Sequence, residues 1–298
     1  SIYDTQYTLD SLYITDVFSS GHQNVVIKLS RGLDGIQLVN VSNYFIAPIG
    51  NPTTVLLSDN NKTINLIYAD SLSPGNNYNL QLQNILEDCL GNSIDTIIQY
   101  NFPIPFTAIK NEVVINEIFI DETPSVGLPE CEYIELYNNT NKLFSLSGWK
   151  LLIYGQGNAP SEKPFPIENI LIEPDSFVIL IKEDAIDSFP NNISKIGFSS
   201  ISLTNAGSNL VLKNAGGKTI NAISYTDKWY NNDNKSYGGW SIERVNPNLF
   251  CERENNWRAS VANIGGTPGK QNSVMGEAVL TKPFRITKAF IIDSNKVQ

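Results

Sequence analysis

Short runs of alternating or β-branched hydrophobic residues dominate the chain. They recur at Asn24–Leu29, Thr63–Tyr68, Tyr78–Leu82 and Asn209–Lys213, and Gly, Asn, Pro and Asp residues lie between such runs. A period of two is typical of strands, whereas the i, i+3, i+4, i+7 pattern of an amphipathic helix is nearly absent. The pattern predicts an all-β protein of sandwich domains, with one short helix at Glu183–Phe189.

A proline-interrupted stretch, Phe102–Phe106, separates two strand-rich blocks. Proline cannot donate a hydrogen bond to a sheet and stiffens the chain, so this composition is typical of a semi-rigid linker. We therefore predict a first sandwich domain at residues 1–105 and a second at residues 106–275.

The last residues, 276–298, repeat the beginning of the chain. The window Ile286–Val297 aligns without a gap on Ile14–Val25, with Ile, Thr, Phe and Val at matching positions. This predicts the first strands of a further Ig-like module. The alternative is a chance likeness between two amphipathic strands, in which case the tail packs on the second domain.

The charge of the chain excludes several partners. Its 30 acidic and 21 basic side chains give a net charge of −9, whereas a binder of duplex nucleic acid needs a basic surface. The same charge argues against docking on an anionic membrane. Uninterrupted apolar stretches such as Phe177–Ile181 are far shorter than the roughly 20 residues of a membrane helix, so we expect no direct membrane insertion.

Catalytic chemistry has few candidates in this sequence. The single histidine, His22, lies in a predicted hairpin turn, and no GxSxG motif is present, so Ser/His or Cys/His catalysis is not favoured. Glu117 and Glu135 lie on neighbouring predicted strands and could form the carboxylate pair of a glycoside hydrolase. The alternative, which we favour, is that they fix the strand ends by hydrogen bonding.

Metal and disulfide chemistry stay open in part. The pairs Asp121 with Glu122 and Asp227 with Asp233 offer oxygen ligands for Ca²⁺, but their spacing fits no EF-hand. The cysteines are odd in number and form no CxxC motif, so we expect no zinc site and no cofactor. A disulfide between Cys131 and Cys251 and three free thiols (with Cys89) are equally compatible with the sequence.

The best candidate for surface recognition is the segment 226–240, which is polar and rich in asparagine. Aromatic faces among amide groups are suited to contacts with sugars or peptides. Tryptophans at such positions also serve as core anchors of the flanking strands, so that alternative stays open. The aromatic residues of the segment are Trp229, Tyr230, Tyr237 and Trp240.

Residues 111–275 resemble the lamin-tail domain family, an Ig-like β-sandwich, through a set of motifs in the family order. The version with Gly-Gly-Trp-Ser and Gly-Gly-Thr-Pro-Gly looks like those of bacterial surface or secreted proteins, especially from Bacteroidetes. The motifs are Val114–Ile118, Glu132–Asn138, Leu146–Leu151, Leu203–Leu212, Gly239–Arg244, Asn256–Ser260 and Gly266–Gly269.

Residues 1–105 resemble, through strand and turn signatures, the Ig-like modules of bacterial S-layer and surface proteins. The matching features are Arg31–Asp34, Val41–Tyr44, Leu72–Tyr78 and Asp88–Asn92. Such features bear on fold more than on function.

The two resemblances imply a non-catalytic part of an extracellular or cell-surface modular protein, with a structural, adhesion or interaction role and an unidentified protein or glycan partner. We expect that the natural start was removed, because the chain begins at Ser1 without Met. Two alternatives remain: an accessory region of a secreted hydrolase or nuclease whose catalytic domain lies elsewhere, and a glycan-binding module built on segment 226–240.

Overall fold

The computed structural model confirms the predicted all-β class. It describes residues 12–33, 35–83, 86–87, 93–94, 99–155, 159–250, 254–276, 291–293 and 296–297. The four strands used above as examples are present at their predicted positions, and the helix predicted at Glu183–Phe189 is a 3₁₀ segment, Glu183–Ser188. No helix in the described ranges is long and apolar enough to span a membrane.

The first block folds into two facing antiparallel sheets, β1-β2-β5-β4 and β3-β6-β9. Their inward side chains form a core that runs from Leu12 to Ile104 along the chain. The strands are β1 (Ile14–Gly21), β2 (Asn24–Leu29), β3 (Tyr44–Ile46), β4 (Thr54–Ser58), β5 (Thr63–Ile67), β6 (Asn77–Leu82), β7 (Leu86–Glu87), β8 (Ser93–Ile94) and β9 (Gln99–Pro103), with a one-turn helix α1 (Gly35–Leu38) and a 3₁₀ segment at Val41–Asn43.

The second block is a larger sandwich with its own core, from Ala108 to Ala259. A six-stranded sheet, β17-β16-β11-β10-β20-β21, faces a four-stranded sheet, β14-β13-β18-β19, and only the pair β16–β17 is parallel among these. The strands are β10 (Val113–Phe119), β11 (Tyr133–Asn138), β12 (Phe144–Ser145), β13 (Lys150–Tyr154), β14 (Ser161–Pro164), β15 (Leu171–Ile172), β16 (Phe177–Lys182), β17 (Lys195–Phe198), β18 (Gly207–Lys213), β19 (Thr219–Thr226), β20 (Ile242–Arg244) and β21 (Trp257–Ala259), with 3₁₀ segments at Asp227–Tyr230 and Glu254–Asn256.

The six-stranded sheet is buried on both faces. Its inner face packs Ile118 and Ile134 into the main core, together with Trp149 from the motif Leu146–Leu151. Its outer face carries Phe119 and Tyr133 in a second, smaller apolar cluster. Because successive residues of a strand point to opposite faces, strands β10 and β11 read as continuous buried runs. The polar residues of these strands are therefore enclosed as well.

The two sandwiches meet at Phe106. Its backbone N–H donates to the Leu143 carbonyl at 2.8 Å, and its ring packs partly against the second core. The other side of the ring lies against Gly75 of the first domain, where an added Cβ would approach the ring to 2.9 Å. The linker is therefore anchored on both sides rather than loose.

The C-terminal tail is described only as a short antiparallel pair, β22 (Ile291–Asp293) with β23 (Lys296–Val297). The remaining tail residues, including most of the window that repeats Ile14–Val25, lie outside the described residues. The further module stays a prediction.

Candidate functional site

A β-bulge in β10 creates the site. Ile115 pairs with Leu136 and Glu117 pairs with Glu135, so Asn116 is an extra residue between the two pairs. A bulge lets two neighbouring side chains lean to the same side of a sheet. The amide of Asn116 accordingly donates to Glu135 at 3.0 Å on the outer face.

Three glutamates meet on this outer face. Glu117 lies directly opposite Glu135 of β11 on one side and Glu243 of β20 on the other. All three are fully buried. The sequence predicted that Glu117 and Glu135 could approach each other but missed Glu243, because Ile242–Val245 does not alternate between apolar and polar residues.

A closing segment, residues 262–276, covers the three glutamates. Its Thr267 N–H donates to Glu117 Oε1 at 2.9 Å, and its Gly269 N–H donates to Glu135 Oε2 at 2.6 Å. Its Ser273 hydroxyl donates to Glu243 Oε2 at 2.7 Å. The motif Gly266–Gly269 thus provides backbone donors to buried carboxyl groups.

The amides of Asn116 and Asn272 fasten the end of the closing segment to the sheet. Asn272 Oδ1 accepts from the Asn116 amide at 2.7 Å, and the Asn272 amide donates to the backbone carbonyls of Asn116 and Arg244 at 3.0 and 2.8 Å. Both amides are buried. Buried amides of this kind cost free energy unless they are satisfied, so the contacts specify one position for the segment.

The Thr267 hydroxyl indicates where a proton lies. Its oxygen is 3.1 Å from Glu117 Oε2 and 3.0 Å from Glu243 Oε1. A hydroxyl carries one proton, so it can donate to only one of the two. Both contacts are hydrogen bonds when one of the two glutamates is protonated and donates to Thr267, which then donates to the other glutamate.

The electrostatics agree with a protonated Glu117. Burial, followed by the negative charge of Glu243, raises the pKa of Glu117 from 4.5 to about 7, against hydrogen bonds from Tyr133 and Thr267 that lower it. Burial and the charge of Glu117 also raise the pKa of Glu135 well above its ordinary value. The cluster therefore holds protons at pH values where free glutamates are ionised.

The glycine-rich motifs allow the covering loops to pack closely. Gly239 has φ +77° and would place a Cβ 2.2 Å from the carbonyl oxygen of Pro124. Gly265 has φ +94° and would place a Cβ 2.1 Å from the carbonyl oxygen of Gly239. Only glycine fits where the backbone is left-handed and a carbonyl lies in the space of a side chain. Gly239 and Gly265 thus allow the two loops that carry them to pack directly against each other.

The segment 226–240 does not present all four of its aromatic rings. Trp229 and Tyr230 are buried in the main core, and the Tyr230 hydroxyl donates to the Trp240 carbonyl at 3.0 Å. Trp240 is half-buried under the Lys235 ammonium group, 3.8 Å from the ring centroid, while Tyr237 is 74% exposed. The short 3₁₀ turn Asp227–Tyr230 directs both rings inward, which favours the core-anchor alternative for Trp229, and ligand binding by the segment stays a prediction.

The remaining candidates are dispersed. His22 is half-buried in a cleft of about 310 Å³ between the two domains. Among the described residues, no three His, Cys, Asp or Glu side chains are grouped as metal ligands would be, and this includes Asp121 and Asp227.

The cysteine pairing stays a prediction. Cys131 is a free thiol in the structure, and burial raises its pKa to about 11. Its proposed partner Cys251, like Cys89, lies outside the described residues.

The family model of the Lamin Tail Domain matches residues 107–227. This confirms the resemblance inferred from the motifs for that part of the chain. No curated protein sequence matches the chain.

Distant similarities exist among solved structures. The N-terminal part of the bacterial S-layer protein SbsC has a TM-score of 0.33 and 14% identity over 72% of this chain, which spans 44% of that protein's length. A DUF4876 family protein from Bacteroides thetaiotaomicron has a TM-score of 0.31 and 11% identity over 91% of this chain and 94% of that one. An L,D-transpeptidase from Mycobacterium smegmatis has a TM-score of 0.25 and 6% identity over 63% of this chain and 90% of that one. At these TM-scores the likeness has no bearing on function.

Proposed function

We propose that this chain is a non-catalytic, structural part of an exported bacterial surface protein, in which two stiff sandwiches space and display neighbouring modules. The observation that carries the proposal is the enclosure of its best catalytic candidates. Glu117, Glu135 and Glu243 are fully buried and accept hydrogen bonds from the closing segment. General acid–base catalysis needs a carboxyl group within reach of a substrate, which this arrangement prevents.

A catalytic role is tested by turnover. We expect the purified chain to release no product from panels of aryl glycosides, aryl esters and polysaccharides, and the Glu117→Gln variant to behave identically. The amide keeps the hydrogen bonds of the site, so the variant can fold. Reproducible turnover by the wild type that is lost in Glu117→Gln would contradict the proposal.

An exported, displayed location is tested on cells of the native host. We expect an antibody against the chain to label intact cells and an added protease to remove the label. As a control, a cytoplasmic protein of the same cells should remain intact after the protease treatment. Label that appears only after lysis contradicts the proposed location.

The spacer role makes a prediction about Phe106. The ring of Phe106 is an apolar contact between the domains, and Lys142 Nζ lies 5.7 Å from its centroid. Replacing it by alanine removes about 1–2 kcal/mol of junction packing. We expect Phe106→Ala to increase the radius of gyration in small-angle scattering and to let the two domains tumble separately in ¹⁵N relaxation measurements.

Tyr237→Ala is the matched control, because Tyr237 is an exposed aromatic residue that takes no part in the junction. It should leave scattering and relaxation unchanged. If Phe106→Ala also leaves both unchanged, the junction does not depend on this ring and the spacer is not stiffened there.

A further inference from the structure

Arg244 is a buried cation with few partners. Its side chain is 3% exposed and lies in β20, on the opposite face of the sheet from Glu243. The guanidinium Nε donates to the Ile115 carbonyl at 2.9 Å, and the guanidinium carbon lies 4.7 Å from the Trp257 ring centroid. These two contacts satisfy one of the five N–H donors and part of the charge.

Among the described residues, the terminal nitrogens of Arg244 have no hydrogen-bond acceptor and no carboxylate within 4.0 Å, and they are not sealed off from solvent. Burial lowers the pKa of Arg244 to about 9, so the group is still charged at neutral pH. A buried charge without a counter-charge costs several kcal/mol. An anion from outside the chain would offset that cost.

A groove of about 850 Å³ gives such an anion access to Arg244. The groove is lined by residues of the edge strand β19, by Leu249 and Phe250, and by the exposed Lys110. None of its described lining residues is acidic, although the chain as a whole carries 30 acidic residues against 21 basic ones. The charged side chains among the described lining residues are thus all cationic, on a protein whose net charge is negative.

The rest of the lining indicates the kind of anion. Asn209, Thr219 and Ser224 offer exposed amide and hydroxyl groups, and Tyr154 and Phe250 offer partly or fully exposed aromatic rings. Rings and amides together suit a sugar, which presents both apolar faces and hydroxyl groups. A guanidinium group suits a carboxylate, which it can bind through two parallel hydrogen bonds.

We propose that this groove binds an acidic saccharide, with the carboxylate of a uronic acid residue on Arg244 and the sugar ring among the amide and aromatic side chains. The site differs from the segment 226–240 that the sequence favoured, and shares with it only Trp229, whose ring stacks on Trp257 with the centroids 5.2 Å apart. The inference is independent of the spacer role, because a rigid module can fail to bind sugar and a sugar-binding module can be flexible.

The proposal is tested by titrating the full chain with tetragalacturonate, using calorimetry and tryptophan fluorescence. We expect saturable binding, and binding that is about tenfold weaker or more for the methyl ester of the same oligosaccharide and for neutral cellotetraose, because both lack the charged hydrogen bond. Equal binding of all three, or no binding of tetragalacturonate, overturns the proposal. Preference for an acidic peptide over the saccharide also overturns it.

Variants locate the site. Arg244→Met removes the charge and keeps the apolar stem, and it should abolish the preference for the charged sugar if the circular dichroism spectrum is native. Ser224→Trp fills the groove from an exposed position, and Lys110→Glu reverses the second charge, so both act without disturbing the core. We expect each to weaken binding about tenfold.

Ser199→Trp is the matched control, because Ser199 is exposed and lies outside the groove. It should bind like the wild type. Unchanged affinity in both Ser224→Trp and Lys110→Glu would place any observed binding elsewhere and contradict the proposal.

Discussion

Replacing Gly265 by alanine is expected to lower the free energy of unfolding by about 3 kcal/mol or more. The new Cβ would lie 2.1 Å from the Gly239 carbonyl oxygen, and neither atom can move away unless the backbone that carries it shifts. The two loops therefore separate, and the closing segment loses its hydrogen bonds to the three glutamates. Urea unfolding followed by tryptophan fluorescence measures the effect.

Gly217→Ala separates the two causes of this loss. Gly217 also has a positive φ, +77°, but a Cβ there meets no atom within 4 Å. Gly217→Ala should lower the free energy of unfolding only by the backbone strain, about 1 kcal/mol. The difference between the two variants then measures the loop–loop contact. Equal effects of the two substitutions would show that the contact between Gly239 and Gly265 does not stabilise the domain.

Acidification from pH 8 to pH 5 is expected to stabilise the second domain by roughly 2 kcal/mol. The raised pKa of Glu117, about 7 against an ordinary 4.5, means that the folded state holds a proton which the unfolded chain releases. This contribution is fully present below pH 4.5 and is lost as the pH rises through 7. The pKa of Glu135 is raised as well. Burial also raises the pKa of the half-buried Glu132, to about 7. Unfolding curves in urea at several pH values measure the slope.

Glu117→Gln should remove about 1–2 kcal/mol of this pH dependence by stabilising the domain at pH 8 and leaving it nearly unchanged at pH 5. The amide nitrogen can donate to Thr267 as the protonated acid does, while the amide oxygen accepts from Tyr133 and from the Thr267 N–H. The exposed Glu130 provides a matched control, since Glu130→Gln should leave the pH profile of the wild type. If Glu117→Gln destabilises the domain at pH 8 as much as at pH 5, the buried carboxyl group is ionised and the proton assignment is wrong.

The acidic site shows how far the sequence alone reaches. Period two in Tyr133–Tyr137 places Ile134 and Leu136 on one face and Glu135 on the other, and the structure confirms those faces. It does not reveal that a second layer covers the outer face, because the cover comes from residues more than 125 positions away, such as Gly269. A strand with one solvent-exposed face and a strand buried on both faces show the same alternation of apolar and polar residues when one of the buried faces carries polar side chains.

The aromatic residues of segment 226–240 show a second point that the sequence left open. Trp229 and Tyr230 lie in a polar, Asn-rich segment, which is typical of an exposed loop. The 3₁₀ turn at Asp227–Tyr230 reverses the chain and buries both rings, with Trp229 stacked on Trp257 from β21. Composition describes the average of a segment, whereas burial is decided side chain by side chain through contacts with distant strands.

The sequence by itself determined the all-β class and the lamin-tail likeness of residues 107–227. These follow from local periodicity, turn residues and ordered motifs, which are written along the chain. The tertiary structure alone decided that Glu243 joins Glu117 and Glu135 under the closing segment 262–276, and that Arg244 lines a groove whose described residues include no acid. Both depend on which strands become neighbours, and that is fixed by packing across long sequence distances rather than by any local pattern.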